Sequence, residues 1–575
     1  MAAGLRRPVT LDAAICSAIL VFAAWLTGGL WPDPARRALA LNPGDQALNE
    51  WSFAHATRIY TGDFHLVTHL LNAPDGVNLL ANASIIALGV IMAPITLAFG
   101  APVSFAIVMT VNLAATGIGW YLLLARTLRL HRLGAAVGGA FCAFAPGMVS
   151  QANGHLHMTA QWLVPVIVWC VIKLARSDDA NQPLVHVLSF GGVLGLLIAG
   201  SVFLGEEVLF LAAIALGAFC LTFAVVGPRT ARRALPGVGS GLLVAAAVAF
   251  GLLSYPLWLQ FHGPQSVPNG VFNPAFFSAD LASFTSISPL SLAGDDGAAR
   301  LVTSAAEYNS FFGWPLVLVT IGAALWQFRR PAVVASAVTA VLMCGLALGP
   351  QVVVDRVRTD HSGPYALLSS FPVIDSALPT RFALAAIPPI AFVLASAIHS
   401  ALTESQTFRL LVPVAIVAAL VPLAPGPLPV QERAPVPRFF TEGYWHTCVK
   451  PGGVLVPVPL PDGSSADTMR WAAAANAEFG IPQGWFIGPY AAGGRASVGI
   501  YSRATARLLG ETAKTGRAPE ITEAERAAAA NDIAYWGASC VVLAADNPQV
   551  SALKPTLDAL FSPGERVADV WAWRV

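Results

Sequence analysis

The sequence contains little charge for its length. Only 11% of its 575 residues are Asp, Glu, Lys or Arg, whereas an ordinary soluble domain contains about 25%. Hydrophobic residues make up 56% of the chain, and the formal net charge is +1. No dense run of Lys and Arg, of the kind that neutralises nucleic-acid phosphates, occurs anywhere. We therefore exclude nucleic-acid binding and predict a multi-span membrane protein.

The sequence also lacks the short motifs of nucleotide and metal chemistry. Neither a Gly-x-Gly-x-x-Gly pattern nor a Walker-type loop occurs, so a soluble nucleotide donor and ATP-driven transport have no support. Five of the seven cysteines lie in apolar runs, and Cys448 and Cys540 belong to no CxxC or His/Cys cluster. We expect no structural metal site and no cofactor. Cys448 and Cys540 form a disulfide if the C-terminal part is extracytoplasmic, or are two unpaired buried thiols.

Membrane-length apolar runs occupy the first three quarters of the chain. The first extends from about residue 11 to 31 and is long enough to cross the roughly 30 Å hydrocarbon core. It follows two arginines but has no obvious small-residue cleavage site, so we interpret it as an anchor. Short basic connectors, which favour the cytoplasm, occur at residues 126–132, 173–176, 229–233 and 329–330.

All four basic connectors can lie in the cytoplasm, on the same side as the N-terminal arginines, only if the run at residues 84–99 does not cross the membrane. It is short and contains Pro94, so we interpret it as a re-entrant or juxtamembrane helix on the outer face. About eleven spans then remain, with breaks that include residues 204–206, and the C-terminal part is outside. The alternative is that one connector violates the positive-inside rule.

The C-terminal part differs in character from the rest. Strand-like stretches at Gly453–Leu460 and Cys540–Ala544 alternate with helix-like stretches at Ala466–Phe479 and Glu523–Trp536. The fold class predicted is an α-helical polytopic membrane protein with a small C-terminal extracytoplasmic α/β domain. The predicted domains are residues 1–430, which are transmembrane and catalytic, and residues 431–575.

Polar side chains collect on the face predicted to lie outside. Polar groups at a membrane rim are costly unless they line a cavity or meet a partner, so each is a functional candidate. The candidates are Asp45, Asp63, His155, His157, Glu206, Glu207, Asp280 and Arg381. Carboxylates, histidines and an arginine on one face suit an outward-facing site for a phosphate-linked sugar.

Asp45 is the candidate general base. A carboxylate can take the proton from an acceptor hydroxyl while a sugar leaves its phosphate carrier. The alternative is that Asp45 is a helix N-cap or a turn residue after Pro43-Gly44. Asp63, which follows Gly62, is either a second substrate contact or a plain turn residue.

The other candidates also have more than one interpretation. His155 and His157 point the same way only in an extended segment, where they bind a sugar or phosphate, hold a metal or pack at the membrane interface. Of Glu206 and Glu207, at least one is buried in a cavity or paired with an arginine, or both lie in a solvated turn. Arg381 either holds a lipid phosphate in bidentate fashion or extends towards lipid headgroups.

Several short segments together resemble the GT-C superfamily of membrane glycosyltransferases. They are the first-loop acid Asp45, the turn Pro74-Asp-Gly-Val-Asn78, Gly154-His155, Ala279-Asp280-Leu281, Glu307-Tyr308-Asn309 and Pro379-Thr-Arg-Phe382. The superfamily includes the protein O-mannosyltransferases and bacterial aminoarabinose and arabinofuranosyl transferases. The sequence is also similar to uncharacterised actinobacterial membrane proteins with a small C-terminal α/β domain.

The resemblance implies a function. The donor is a polyprenyl-phosphate-linked sugar, the reaction is inverting, and the active site faces the outside of the plasma membrane. The acceptor is an envelope glycan or glycolipid, and membrane lipids surround the protein. Asp45 carries over as the base and Arg381 as a phosphate contact. Many relatives have an Asp-Asp or Asp-Glu pair, whereas Gln46 follows Asp45, so a metal-independent mechanism is favoured.

Two other classes of function remain. A flippase for lipid-linked glycans would need polar residues along a path through the spans, and here the spans are nearly free of charge. A non-catalytic glycan-binding protein would use the tryptophans of the C-terminal part to stack on sugar rings, although such residues more often form a core.

Overall fold

The computed structural model describes residues 2–82, 85–176, 184–267, 272–369, 377–463 and 465–575. Contacts between residues divide the chain into two compact units. The first, called here the helical unit, comprises Met1–Pro32, Ile107–Ser254 and Phe272–Pro429. The second, called the mixed unit, comprises Asp33–Ala106, Tyr255–Val271 and Val430–Val575. The C-terminal part therefore clusters with the first loop.

The helices, in chain order, are α1 (Ala2–Leu26), α2 (Pro43–Ala56), α3 (Ile86–Phe99), α4 (Ala101–Leu122), α5 (Arg132–Phe144), α6 (Pro146–Gln151), α7 (Leu156–Thr159), α8 (Val164–Ala175), α9 (Leu184–Val226), α10 (Pro228–His262), α11 (Trp314–Trp326), α12 (Pro331–Ala347), α13 (Ile387–Glu404), α14 (Leu411–Leu420), α15 (Arg438–Thr441), α16 (Met469–Ala474), α17 (Ala504–Thr515), α18 (Glu523–Trp536) and α19 (Val550–Phe561). The strands are β1 (Arg37–Leu39), β2 (Val67–Thr68), β3 (Val77–Asn78), β4 (Gln351–Val354), β5 (Val357–Ser362), β6 (Val430–Glu432), β7 (Val454–Val458), β8 (Ile487–Gly488), β9 (Ser497–Val498), β10 (Ala538–Ala544), β11 (Glu565–Val567) and β12 (Val570–Arg574).

Apolar helices confirm that this is a helical membrane protein. Within the described residues, six are long and apolar enough to cross a membrane: Ala101–Thr127, Arg132–Gln151, Leu156–Ala175, Leu184–Val226, Pro228–His262 and Pro379–Glu404. Five shorter apolar helices accompany them, and α3 is one of these. The count of about eleven spans and the outer position of α3 stay predictions.

The predicted break at residues 204–206 is a kink at which two helical segments of α9 meet. Helix α9 contains non-helical backbone at Gly205, with φ 177° and ψ 84°. A Cβ atom at Gly205 would lie 2.3 Å from the carbonyl oxygen of His157, so no larger residue fits there. Glu206 and Glu207 directly follow this close approach, at the start of the second helical segment and not in a solvated turn.

Small residues let helices of the helical unit approach closely. Helix α5 packs on α13, where a Cβ atom at Gly134 would lie 2.6 Å from the carbonyl oxygen of Ala395. A Cβ at Gly138 would lie 3.3 Å from the carbonyl oxygen of Ala391. Such packing is typical of membrane helices, because lipid gives no hydrophobic drive for helix association.

The C-terminal part contains a four-stranded sheet in the order β11-β12-β10-β7. Strand β10 runs parallel to β7 and antiparallel to β12. Side chains from these strands and from α17, α18 and α19 form a core around Trp536 and Trp573. These tryptophans are thus buried, as core residues are, and do not present a sugar-stacking surface.

Most local predictions in this part agree with the structure. Strands β7 and β10 and helix α18 lie where the pattern predicts them. The predicted helix Ala466–Phe479 is wrong at its ends, because only α16 is helical and Asn476 and Ala477 have φ of 51° each. Cys448 and Cys540 form a disulfide, with Cα atoms 5.7 Å apart, so the alternative of two unpaired thiols is wrong.

The first loop contributes strand β1 and helix α2 to the mixed unit. Strand β1 pairs antiparallel with β6, in the register Arg37↔Glu432 to Leu39↔Val430, and α2 packs against α3 and α16. The boundary between the helical unit and the mixed unit in this part of the chain lies between Pro429 and Val430. Whether residues 431–575 form a domain of their own stays a prediction.

Candidate active site

Asp45 lies in the first turn of α2, in the mixed unit. The helix begins at Pro43, and the side chain of Asn42 accepts a hydrogen bond from the Asp45 backbone N–H at 3.3 Å. Asn42 is therefore the N-cap, and the interpretation of Asp45 itself as the cap is wrong. An acidic residue in the first turn is favourable, because the helix dipole is positive there.

Two donors hold the Asp45 carboxylate. Asn42 donates from Nδ2 to Oδ2 at 2.6 Å, and Trp485 donates from its indole Nε1 to Oδ1 at 2.8 Å. The carboxylate is partly exposed. A held and accessible carboxylate has the two properties that a general base requires, a fixed position and access to the proton.

The next acid along α2 has a structural role. Glu50 is 1% exposed and accepts from Arg433 Nη2 at 2.7 Å and from Gln46 Nε2 at 2.8 Å. Arg433 also donates from Nη1 to the second Glu50 oxygen at 3.0 Å. A buried and fully paired carboxylate cannot act as a second catalytic acid beside Asp45, in agreement with the single-acid interpretation.

Asp63 is engaged with basic side chains of the mixed unit. It forms an ion pair with Arg58, and one oxygen lies 3.5 Å from His65 Nε2. Arg58 also donates to the carbonyl oxygen of Ala477 at 3.3 Å. Burial lowers the pKa of Arg58, although the charge of Glu478 acts in the opposite direction. Asp63 is thus a partner of Arg58, and its contact with a substrate stays a prediction.

His55 is a buried histidine in α2. Its ring stacks on Trp51 and contacts Phe64, with centroids 5.0 and 5.2 Å away. Burial, followed by the charges of Arg58 and His65, lowers the pKa of His55 to about 3. The imidazole is therefore neutral at physiological pH.

A second polar cluster lies in the helical unit around Arg381. Arg381 is 8% exposed, and it donates to Glu307 from Nε at 3.1 Å and from Nη2 at 2.6 Å. It also forms an ion pair with Glu207. Extension of Arg381 towards lipid headgroups is therefore wrong. The prediction that Glu206 or Glu207 pairs with an arginine is confirmed by Glu207.

Glu307 is a member of the cluster around Arg381 that the sequence interpretation did not select as a site residue. It is 3% exposed and lies in the segment Glu307-Tyr308-Asn309, which carried part of the family resemblance. A buried acid in a predicted outer loop requires a cationic partner, and this was the available signal. Which of the arginines paired with it could not be read from the sequence.

Hydrogen bonds extend this cluster to the histidine pair. Asn309 donates from Nδ2 to Glu307 Oε2 at 2.7 Å, and Gln151 donates from Nε2 to Asn309 Oδ1 at 2.6 Å. His155 Nδ1 and Gln151 Oε1 are 2.6 Å apart. The structure thus joins Arg381, Glu207 and His155, three predicted site residues, in one network.

The histidine pair does not lie in an extended segment, so the extended conformation that would point both rings the same way is not present. His155 is the N-cap residue of α7, and His157 lies within that helix. The ring centroids are nevertheless 5.6 Å apart, because the chain turns between them. His157 is largely buried and His155 is partly exposed.

Asp280 fixes a loop. It is 1% exposed, and its carboxylate accepts from the backbone N–H groups of Ala282 at 2.9 Å, Asp355 at 3.0 Å and Arg356 at 2.7 Å. Asp355 and Arg356 form the turn between β4 and β5 and both have positive φ. Asp280 is thus the anchor of this turn, and its contact with a substrate stays a prediction.

Within the described part of the chain, no three His, Cys, Asp or Glu side chains are placed to hold a metal ion. A metal-independent mechanism stays a prediction.

Comparisons with known proteins give similarity of structure alone. No protein-family model matches the sequence, and no curated protein matches it significantly. The arabinofuranosyltransferase AftD from Mycobacteria matches with a TM-score of 0.51 and 14% identity over 98% of this chain. This chain spans 40% of the length of AftD.

Two further solved structures are similar at a lower level. The archaeal oligosaccharyltransferase AglB from Archaeoglobus fulgidus, in complex with an inhibitory peptide and a dolichol-phosphate, has a TM-score of 0.49 and 10% identity, with 96% of this chain and 70% of AglB covered. ArnT from Cupriavidus metallidurans has a TM-score of 0.44 and 12% identity, with 99% and 98% covered.

AftD is a GT-C glycosyltransferase, and the chain has the GT-C fold. The fold implied by the sequence resemblance is therefore confirmed. A structural similarity with so low a sequence identity shows the fold and not the activity, because one fold can support several functions.

Proposed function

We propose that this protein is an integral-membrane glycosyltransferase. It transfers a sugar from a polyprenyl-phosphate-linked donor to a cell-envelope glycan or lipid acceptor, with inversion, on the outer face of the plasma membrane. The observation that carries this proposal is the Asp45 carboxylate, which follows the first apolar helix of a GT-C fold and is held by Asn42 and Trp485.

Asp45 acts as the general base in the proposed reaction. It takes the proton of an acceptor hydroxyl while that oxygen forms a bond to the anomeric carbon of the sugar. The bond from this carbon to the phosphate oxygen breaks, and polyprenyl phosphate leaves with the electron pair. Attack opposite the leaving group inverts the anomeric configuration. Proton transfer to a positioned base typically contributes about 10²- to 10⁴-fold to the rate.

The disulfide supports the proposed compartment. Cys448 and Cys540 lie in the same unit as Asp45. Disulfides persist in oxidising environments and are rare in the cytoplasm. This argument supports an extracytoplasmic position of the mixed unit, which is also the position that the basic connectors of the sequence favour.

We propose different roles for the members of the Arg381 cluster. Glu207 and Glu307 together outweigh the charge of Arg381, so the cluster is a poor site for a phosphate. We therefore assign Arg381, Glu207 and Glu307 to fixing the segments that carry them. His155, partly exposed at the end of the network, is the member that we propose to contact a sugar or phosphate, with His157 and Glu206 beside it.

The test is transfer of radiolabelled sugar by purified protein. The donors are farnesyl-phosphate esters of arabinofuranose, mannose, glucose and galactose, and the acceptor is an envelope-glycan extract. Asp45→Asn is compared with wild type and with Asp33→Asn, whose parent residue is in the same loop and only caps the Arg36 backbone. NMR of the product gives its anomeric configuration, and a parallel reaction contains EDTA.

We expect transfer from one of these donors, an inverted product, no effect of EDTA and wild-type activity for Asp33→Asn. Asp45→Asn should be about 10²- to 10⁴-fold slower while it folds and binds donor normally. Equal activity of Asp45→Asn would remove Asp45 from the mechanism. If folded wild type transfers sugar from none of the donors, the result favours the alternatives, a glycan transporter or a glycan-binding protein.

A further inference from the structure

We propose that Trp485 is the positioning residue of the active-site carboxylate. The C-terminal part thus takes part in catalysis through the orientation and ionisation of Asp45. The proposal rests on the proposed function, since it concerns the same base. Trp485 lies 440 residues from Asp45 along the chain, and both belong to the mixed unit.

The contact is specific in its atoms. The only hydrogen-bond donor of an indole is its Nε1–H, and that of Trp485 lies 2.8 Å from Asp45 Oδ1. Asn42 occupies the other oxygen, Oδ2, at 2.6 Å. Because these two donors bind different oxygens, they fix the plane of the carboxylate.

The helix has a glycine where the indole lies. A Cβ atom on Gly44 would be 2.7 Å from Cε2 and 2.8 Å from Cδ2 of Trp485. The ring therefore lies against the bare backbone of the first turn, one residue before Asp45. The absence of a side chain at position 44 lets the indole come near enough to donate to Asp45.

The segment that carries Trp485 is itself held in place. The backbone N–H of Ile487 donates to Asn82 Oδ1 at 2.6 Å, and Asn82 Nδ2 donates back to the Ile487 carbonyl oxygen at 3.0 Å. The Trp485 backbone N–H contacts Met469 Sδ at 3.2 Å. Strands β8 and β9 close the segment on its far side. A side chain anchored on both sides keeps its rotamer, as a positioning residue must.

The titratable groups around Asp45 come from α2 itself and from the elements packed against it. Helix α3 has no titratable residue. Helix α16 contributes Arg470, which is paired with Asp467. The turn after α2 contributes Tyr60 and Arg58, and Arg58 is paired with Asp63. Strand β1 contributes Arg37, and α2 itself contributes Glu50, which is paired with Arg433, and His55. All of these stay unchanged in the variants below.

The test compares the pH dependence of sugar transfer between three variants. Trp485→Phe keeps an aromatic ring against Gly44 and removes the donor. Gly44→Ala keeps the donor and displaces the ring. Trp471→Phe is the matched control, because Trp471 is 6% exposed, stacks on Phe440 in the same unit and does not bond to Asp45.

A hydrogen bond to the charged form of a carboxylate favours that form. Trp485→Phe should therefore move the acid limb of the pH–rate profile to higher pH by about one unit. It should also lower kcat by about ten- to one-hundredfold, the effect of one hydrogen bond to a charged group. Gly44→Ala should shift the limb in the same direction, and Trp471→Phe should leave it at the wild-type pH.

A second measurement does not require transfer. Protein labelled with 5-fluorotryptophan is titrated with acid, and the ¹⁹F resonance of residue 485 is assigned by its absence from Trp485→Phe. This resonance should follow the ionisation of Asp45 in wild type and lose that step in Asp45→Asn. A titration step without any sugar transfer would refute the proposed function and leave the Trp485–Asp45 pairing intact.

Two results would overturn the proposal. One is an acid limb at the wild-type pH in both Trp485→Phe and Gly44→Ala, whatever the activity, since this would make Trp485 a purely structural residue. The other is a residue 485 resonance that titrates identically in wild type and Asp45→Asn. If Trp485→Phe does not fold, Gly44→Ala and the titration decide the question.

Discussion

Replacement of Arg381 by methionine should destabilise the protein severely. Methionine has no charge and matches the aliphatic part of the arginine side chain, so the change removes the cation and keeps the packing of that part. Glu307, which is 3% exposed, then loses the donors that lie at 2.6 and 3.1 Å, and Glu207 loses its ion pair. Two carboxylates are left together without a counter-ion.

The magnitude follows from this burial. Removal of one partner of a buried pair costs about 3–5 kcal/mol, because an uncompensated charge stays in a medium of low polarity. We therefore expect Arg381→Met to lower the free energy of unfolding by about 3–5 kcal/mol. The triple variant Arg381→Met/Glu207→Gln/Glu307→Gln should recover most of this loss, since neutral amides carry no such charge.

The assay is SDS-induced unfolding of the purified protein in detergent, followed by the loss of helical circular dichroism. Arg330→Met is the matched control, because the Arg330–Glu404 pair has side chains 38% and 52% exposed. An exposed pair contributes about 0–1 kcal/mol. The reasoning is refuted if Arg381→Met costs no more than Arg330→Met, or if the triple variant is as unstable as Arg381→Met.

Two further predictions concern the mixed unit. The pKa of His55 falls from 6.5 to about 3 because the ring is buried. Between these two pH values the unfolded chain therefore binds more protons than the folded one. The free energy of unfolding should drop by about 1.4 kcal/mol for each pH unit from 6.5 down to 3. His55→Phe keeps the stacking and should abolish this dependence, and parallel pH profiles of the two proteins would contradict the assignment. Reduction of Cys448–Cys540, which closes a loop of 92 residues, should lower the unfolding free energy by about 2–5 kcal/mol. Alkylation under denaturing conditions should label two more thiols after reduction than before it, and equal labelling would exclude the disulfide.

The sequence by itself determined the class of the protein and much of its local structure. Low charge and repeated apolar runs require a helical membrane protein, because a bilayer leaves only regular hydrogen-bonded backbone as a spanning structure. Helix α18 and strands β7 and β10 follow from periodicity, which depends on neighbours a few residues apart. The short GT-C-like segments pointed to the fold that the comparison with AftD shows.

Only the tertiary structure decided which polar groups meet. Asp45 is bonded to a tryptophan 440 residues away, and Arg381 is bonded to acids 174 and 74 residues away. No local pattern encodes such pairs, because they depend on how whole helices and loops pack. The same reason explains why the partners of Asp280, which lie on other segments, could not be read from the sequence. Residue types showed where chemistry could lie, and packing decided which partners each polar group has.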